Sequence, residues 1–78
     1  MLVKIIYRKE NGIFYGMPYT YRTELPLKRG DTVKAPTRDK VQIGFVTDVN
    51  VPESAVEPRW RDNLKEITEY ATEGEPNA

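Results

Sequence analysis

The stretch Val-Gln-Ile-Gly-Phe-Val-Thr-Asp-Val, residues 41–49, is the longest apolar run in this chain of 78 residues. Its β-branched and aromatic residues are typical of a strand. Alternate residues of a strand point to the same side, so one face of this segment carries five side chains that we expect in the core. These are Val41, Ile43, Phe45, Thr47 and Val49. Gly44, inside the strand, indicates sharp curvature or a close backbone neighbour, as at the corner of a small barrel.

Shorter segments of similar character precede this strand, at residues 2–8, 13–15, 19–23 and 32–36. Asn11-Gly12, between the first two, is a strong hairpin signal because both residues tolerate the positive φ of a type I′ turn. Glycine or proline punctuates the other junctions. Short strands at a spacing of about ten residues predict a mainly β fold, namely a small, partly open SH3-like β-barrel of about five to six strands.

The segment at residues 64–70 has two interpretations. Its apolar residues Leu64, Ile67 and Tyr70 are spaced roughly as on one side of a helix. Local propensity therefore favours a short C-terminal helix, capped by Asp62 or Asn63. The alternative is a strand that closes the barrel.

The rest of the C-terminal third is polar and irregular. Residues 50–58 contain two prolines and should form a loop. Residues 72–78 contain no apolar anchor and should be a disordered acidic tail. We therefore predict one domain, residues 2–71, followed by this tail.

The composition excludes several kinds of chemistry. The chain has no cysteine and no histidine, so disulfides, Cys/His zinc sites and Cys or His nucleophiles are absent. Its glycines are isolated and form no phosphate-binding loop. No two acidic residues pair in a predicted pocket, and Asp31 is best explained as a turn carboxylate that accepts backbone N–H bonds. We expect a protein that is not an enzyme and uses no metal, cofactor or small-molecule substrate.

The sequence also contains no targeting signal. No apolar run approaches the roughly 18–20 residues of a membrane span, and the N-terminal segment is too short for a signal peptide. We therefore expect a soluble, cytoplasmic protein with no membrane partner.

A net charge of zero hides an uneven distribution. Residues 1–44 carry nine basic and four acidic side chains, a net charge of +5, whereas residues 45–78 carry a net charge of −5. Such a split can mark a basic binding surface joined to an acidic tail. The alternative is that the acidic half only balances the charge of a basic domain and keeps it soluble.

Aromatic and basic residues are interleaved near the N-terminus. Five of the eight aromatic residues lie within the first 21 positions, together with Lys4, Arg8 and Lys9. Aromatic faces stack on bases while lysine and arginine hold phosphates, so this pattern favours single-stranded nucleic acid. The alternative is that the tyrosines face half into the core. Trp60 is either a stacking anchor or a cover for the open end of the barrel.

Four sequence motifs, taken in their order along the chain, resemble the motifs of a known protein family. They are Tyr19-Thr20-Tyr21, LKRGDTVKAP at 27–36, IGFV at 43–46 and LKEI at 64–67. In order and spacing, over residues 2–71, the chain resembles the N-terminal DNA-binding domain of the primosomal replication-restart helicase PriA. It also resembles short stand-alone phage and prophage proteins of that type. The resemblance implies a small β-barrel with a closing strand, and binding of the 3′ end of a nascent DNA strand at a fork.

The resemblance also assigns site residues by position. Tyr19 and Tyr21 match the family's aromatic pair, and Lys65 matches the lysine of its closing segment. Thr20 replaces the pocket aspartate, and Arg38 replaces a glycine, so its side chain would overhang the pocket or add a phosphate contact. With Arg22, which directly follows the aromatic strand, the predicted nucleic-acid-binding residues are Tyr19, Thr20, Tyr21, Arg22, Arg38 and Lys65.

Two functions follow as hypotheses. The first is a non-enzymatic module that binds DNA, as a single strand or at a 3′ end, or that docks on a replication complex. The alternative is an SH3-type protein-interaction module, for example a phage protein that binds a host factor. Steep loss of affinity with salt would favour the first, because each phosphate contact releases a counterion.

Overall fold

The structure, a computed structural model, describes residues 1–9, 12–61 and 63–72. Within these ranges the chain forms six β-strands and two short helical segments. The strands are β1 (Leu2–Tyr7), β2 (Tyr19–Thr23), β3 (Thr32–Pro36), β4 (Val41–Asp48), β5 (Glu66–Ile67) and β6 (Glu69–Tyr70). A 3-10 helix covers Glu53–Ala55, and one α-helical turn, α1, covers Pro58–Arg61.

The six strands form one sheet that nearly closes into a barrel. Their order is β5-β2-β1-β4-β3-β6, so β5 and β6 lie at opposite edges although only Thr68 separates them in sequence. β5 pairs with β2 in parallel, and β6 pairs with β3 antiparallel. Residues 66–70 therefore bridge the two edges. The predicted small β-barrel is confirmed, and the short helix favoured for residues 64–70 is wrong.

Backbone hydrogen bonds explain why this segment is extended. The N–H of Arg22 donates to the Lys65 carbonyl, and the N–H of Ala71 donates to the Thr32 carbonyl, both at 2.9 Å. The edges of β2 and β3 thus present polar groups that the segment satisfies, and a local helix would leave those groups unpaired. Ile67 points inward and is fully buried, which adds an apolar contribution.

The core is small and comes mainly from the inner faces of the longer strands. Its buried members are apolar or aromatic: Val3, Ile5, Tyr21, Leu27, Val33, Ala35, Val46 and Ile67. Tyr7, Leu25 and Val49 are partly buried and pack against this cluster. Thr23 is the buried polar residue beside it, and its hydroxyl donates to the Ile67 carbonyl at 2.8 Å. The core therefore joins the closing segment to the four main strands.

The prediction for the inner face of β4 is wrong in its central part. Gly44 and Val46 face the core, whereas Phe45 is half-buried on the outer face, where its ring lies 5.4 Å from that of Phe14. A Cβ atom on Gly44 would lie 2.6 Å from Cδ1 of Ile5. The interior thus has room for glycine at this position and none for a larger side chain. The group that approaches Gly44 closely is thus the Ile5 side chain and not another backbone segment.

An irregularity in the pairing of β1 and β4 changes which side chains of β4 face inward near the end of that strand. Lys4 pairs with Asp48, but the next residue, Ile5, pairs with Val46, so β4 carries one extra residue there. Beyond this bulge Val49 turns back to the core, as predicted. Ile43 is also buried, at 1% exposure, but on the outer side of the sheet.

The connections agree with several local predictions. Lys9 N–H donates to the Ile13 carbonyl, Gly12 has a φ of 83°, and Arg8 forms an isolated bridge with Phe14, as expected for a turn. The Asp31 carboxylate accepts a hydrogen bond from Lys28 N–H at 2.8 Å, which confirms its role in a turn.

Some of the predictions fall on residues that lie outside the described ranges. These are Asn11 of the hairpin signal, the Asp62 cap and the tail at residues 73–78. The expected loop at 50–58 contains the 3-10 helix and leads into α1. No helix among the described residues is both long and apolar enough to cross a membrane.

Candidate functional site

An open groove of about 550 Å³ runs along the start of β2. One wall comes from the end of β1 and the start of β2, and the other comes from residues 55–57, 60 and 63–65. We call it the aromatic groove, and the lining residues used below are Tyr7, Pro18, Tyr19, Thr20, Tyr21, Val56, Glu57, Trp60, Leu64 and Lys65. The groove therefore combines a strand surface with a helical turn that the sequence analysis did not connect to it.

Two aromatic side chains in the groove are open to solvent. Tyr19 is 52% exposed and Trp60 is 54% exposed, one from each wall. The Tyr19 ring packs against that of Tyr7, with centroids 5.0 Å apart and an interplanar angle of 33°. This contact holds Tyr19 on a rigid strand while part of its ring remains available to a planar ligand.

A tyrosine hydrogen-bond chain lies beneath the groove. The Tyr7 and Tyr21 hydroxyls are 2.6 Å apart, and the Tyr21 hydroxyl donates to the Pro36 carbonyl at 2.7 Å. Burial is the main cause that raises the pKa of both tyrosines above the ordinary value of 10.0. For Tyr21 the hydrogen bond with Tyr7 raises the pKa further. Both side chains are therefore neutral at physiological pH and can fix polar atoms at the floor.

The charged groups at the groove have both signs. Lys65 is exposed on one wall, and Glu57 is exposed near Trp60. Arg59 forms an ion pair with Glu57 at 2.9 Å, and its guanidinium lies 5.4 Å from the Trp60 ring centroid. Arg59 thus covers part of the tryptophan and offsets the charge of Glu57, which leaves Lys65 as the cation that lines the groove among the described residues.

The end of the barrel next to the groove carries further cations. β1 and β3 run in the same direction, so the connections after them meet at one end. In sequence, those connections contain the bases Arg8, Lys9, Arg38 and Lys40 and the acids Glu10 and Asp39. Because basic side chains outnumber acidic ones there, this end of the barrel should attract an anionic ligand.

The structure brings four of the six predicted site residues together. Tyr19, Thr20, Tyr21 and Lys65 all line the aromatic groove. Tyr21, however, is only 4% exposed, so its ring belongs to the core and offers no free face for stacking.

The other two predicted residues lie apart from the groove. Arg22 lies on the outer face of β2, where its guanidinium pairs with Glu53 at 3.1 Å. Arg38 is exposed in the connection between β3 and β4, beyond the groove walls.

Tyr7 and Trp60 are groove residues whose position the sequence did not reveal. Tyr7 follows the inward alternation of β1, in which Val3 and Ile5 are also inward, and that period-two pattern was the available signal. Trp60 is a candidate anchor from its sequence context, but its distance in sequence from β2 gives no sign that it lines the same groove as Tyr19. Only the tertiary structure brings these side chains to one site.

The described residues contain no group of three or more acidic, histidine or cysteine side chains that could hold a metal ion.

Comparison of the chain with models of known protein families, with curated proteins and with solved structures found no match.

Proposed function

We propose that this barrel binds single-stranded nucleic acid, most naturally DNA, in the aromatic groove. The observation that carries the proposal is that two half-exposed aromatic side chains, Tyr19 and Trp60, line one groove together with Lys65. Aromatic faces that stack bases beside cations that contact the backbone are the two elements of single-strand binding.

The groove assigns different tasks to its parts. Bases stack on the exposed portions of Tyr19 and Trp60, while Lys65 contacts a phosphate. Arg38 and Lys40, at the adjacent end of the barrel, attract the strand at longer range. Arg22 plays a smaller part than the sequence suggested because Glu53 already pairs with its guanidinium.

The resemblance to the PriA end-binding domain supports the same location. Three of the positions assigned through that resemblance, Tyr19, Thr20 and Lys65, line the groove, and a fourth, Tyr21, forms its floor. We extend the proposal to a DNA-replication setting, in which the module holds a DNA strand or docks on a replication complex. Thr20 supplies a hydroxyl where that family has a carboxylate, so we expect weaker selection for a strand end.

Fluorescence anisotropy with a labelled single-stranded oligonucleotide tests the proposal. Trp60→Ala and Tyr19→Ala should each weaken binding by roughly fivefold to a hundredfold, since stacking contributes about 1–3 kcal/mol per base. Tyr70→Ala is the matched control, because Tyr70 is similarly exposed, at 48%, but lies outside the groove on β6. Absence of binding by the unaltered protein at 50 mM salt and high micromolar concentration would refute the proposal.

A second candidate is a protein-interaction module that holds an extended, proline-rich peptide. The observation in its favour is Glu57, an acid at the edge of a groove whose walls include Pro18, Val56 and Leu64. Aromatic and apolar grooves on SH3-type barrels accept polyproline segments, and an acid beside them suits a basic residue of the peptide.

The variant Glu57→Gln separates the two candidates. Loss of its negative charge should strengthen binding of an oligonucleotide and weaken binding of a basic, proline-rich peptide. Glu24→Gln, at an exposed position outside the groove, controls for the change in net charge. A shallow salt dependence together with weaker binding by Glu57→Gln would favour the peptide.

A further inference from the structure

The hydrogen-bond chain beneath the aromatic groove has a fixed direction. The Pro36 carbonyl can only accept, so the Tyr21 hydroxyl, 2.7 Å away, must use its proton there. A tyrosine hydroxyl has one proton. Toward the Tyr7 hydroxyl, at 2.6 Å, Tyr21 can therefore only accept. The proton of Tyr7 is thus directed inward, to Tyr21.

Tyr7 is the member of this chain nearest to a ligand. Tyr21 is buried, and Pro36 contributes only a backbone oxygen, whereas Tyr7 is half-buried and lines the groove beside Tyr19. Because its proton is already committed, the Tyr7 oxygen offers the groove lone pairs and no donor. A polar ligand atom that reaches it must carry a hydrogen.

This polarity restricts what can bind at the floor. Phosphate and carbonyl oxygens have no hydrogen to donate, so they gain no hydrogen bond from Tyr7 at neutral pH. Adenine, cytosine and guanine each carry an exocyclic amine, which is a donor. The floor therefore suits the edge of a base and directs the phosphates outward, toward Lys65.

We infer that Tyr7 is a specificity-determining residue of the groove: its hydroxyl oxygen accepts a hydrogen bond from the exocyclic amine of a base bound beside Tyr19. The inference rests on the proposed function and specifies its ligand further. It makes strands with amine-bearing bases the preferred class.

A pair of oligonucleotides that differ only in the amine tests the inference. Oligodeoxyadenosine is compared with the same oligomer built from purine deoxyriboside, which lacks the 6-amino group. The unaltered protein should bind the adenine oligomer about three- to tenfold more tightly, the usual net effect of one hydrogen bond. In Tyr7→Phe, which keeps the ring and leaves the Tyr21 bond to Pro36, this ratio should fall to about one.

A control variant shows whether the preference for the adenine oligomer depends on the Tyr7 hydroxyl oxygen. Tyr70→Phe removes an exposed tyrosine hydroxyl outside the groove and should leave the preference for adenine unchanged; loss of the preference in that variant would overturn the assignment to Tyr7. Circular dichroism and the melting temperature establish that Tyr7→Phe is folded. If it is not, equal affinity of the unaltered protein for the two oligomers is by itself sufficient to overturn the inference.

The outcomes also separate the inference from the proposed function. Binding of both oligomers with equal affinity refutes the role of Tyr7 and leaves the single-strand proposal standing. Binding of neither oligomer refutes the proposed function and the inference together.

Discussion

At the scale of single residues, Gly44 and Ile5 determine how closely the two central strands approach. Ile5 is fully buried between Tyr19 on β2 and Val46 on β4. Its Cδ1 atom occupies the space that a Cβ on Gly44 would need. The absence of a side chain at residue 44 is thus part of the packing of Ile5, and the two positions should be energetically coupled.

Gly44→Ala should destabilise the protein by about 1–3 kcal/mol, because it adds a methyl group to a filled interior. Ile5→Val removes Cδ1, the nearest atom, and costs about 0.5–1.5 kcal/mol alone. The double variant should lose less stability than the sum of the two single changes. Urea unfolding of the four proteins measures this coupling, and additive losses would contradict it.

Tyr7 and Tyr21 make stability depend on pH at the alkaline end. Burial holds their pKa values above the ordinary value, while an unfolded tyrosine ionises at about pH 10. Below that pH both states are protonated and the stabilisation is complete. As the pH rises beyond it, the unfolded state loses protons first, so the free energy of unfolding decreases.

The double variant Tyr7→Phe/Tyr21→Phe tests this origin. Its free energy of unfolding should decline less steeply between pH 9.5 and 11 than that of the unaltered protein, because the variant lacks the two tyrosine hydroxyls. Lysine titration contributes equally to both proteins, so the difference in slope belongs to the tyrosines. Denaturant unfolding at several pH values gives the slopes. Equal slopes would show that these hydroxyls do not cause the alkaline loss.

Residues also show the limit of prediction from the sequence. The period of two correctly placed Ile43 and Phe45 on one side of β4, but periodicity does not say which side is the interior. Hydropathy favoured the face with more large side chains, whereas the interior accepts Gly44 and Val46 because Ile5 fills the space. Tyr21 likewise looks like a stacking residue in the sequence, and only the folded structure shows that it is buried, with its hydroxyl bonded to the Pro36 carbonyl.

At the scale of elements, the closing segment of β5 and β6 is the part that local sequence misassigned. Leu64, Ile67 and Tyr70 have helical spacing, but two-residue strands carry almost no pattern of their own. Their conformation is fixed by the free edges of β2 and β3, which come from far away in the chain. The long strands could be predicted because their pattern extends over five to eight residues.

A chain that ends at Lys65 should lose its cooperative thermal transition. It lacks the partners of two sheet edges and the buried Ile67, whose side chain alone contributes about 2–5 kcal/mol. A domain of this size has only about 5–8 kcal/mol in total, near the low end of the usual range. A chain that ends at Thr72 keeps all six described strands and is the control. Circular dichroism melting curves compare the two, and a similar sharp transition in both would contradict the prediction.

At the scale of the whole molecule, the uneven charge of the sequence is partly explained by the closure. The acidic C-terminal half returns to the basic N-terminal half, so that Glu66 pairs in register with Arg22 and Glu69 with Lys34. Opposite charges directly across an antiparallel pair, as Lys34 and Glu69 are, contribute about 0.2–1 kcal/mol. From the sequence alone, a basic binding surface and a simple charge balance are both possible explanations. The strand registers add a third explanation, in which acidic residues of β5 and β6 stabilise the closed barrel.

Glu69→Lys should therefore destabilise the protein by about 0.5–1 kcal/mol, because it places two like charges opposite each other on β3 and β6. Glu24→Lys makes the same change in net charge at an exposed position outside the strands and should stay within about 0.5 kcal/mol. Urea unfolding at low salt compares the two variants, and the difference should shrink at high salt. Equal effects would show that net charge alone matters.

The bridging of two edges by one short segment has a consequence for how molecules could join. If residues 66–70 detach, both edges open in the same event, and the freed segment can fill the vacant edges of a neighbouring molecule. The displaced segment of that neighbour either fills the vacant edges of the first molecule, which closes a swapped dimer, or passes to a third molecule, which extends a chain. Strand exchange that starts from openings of residues 66–70 can therefore give swapped dimers or linear polymers.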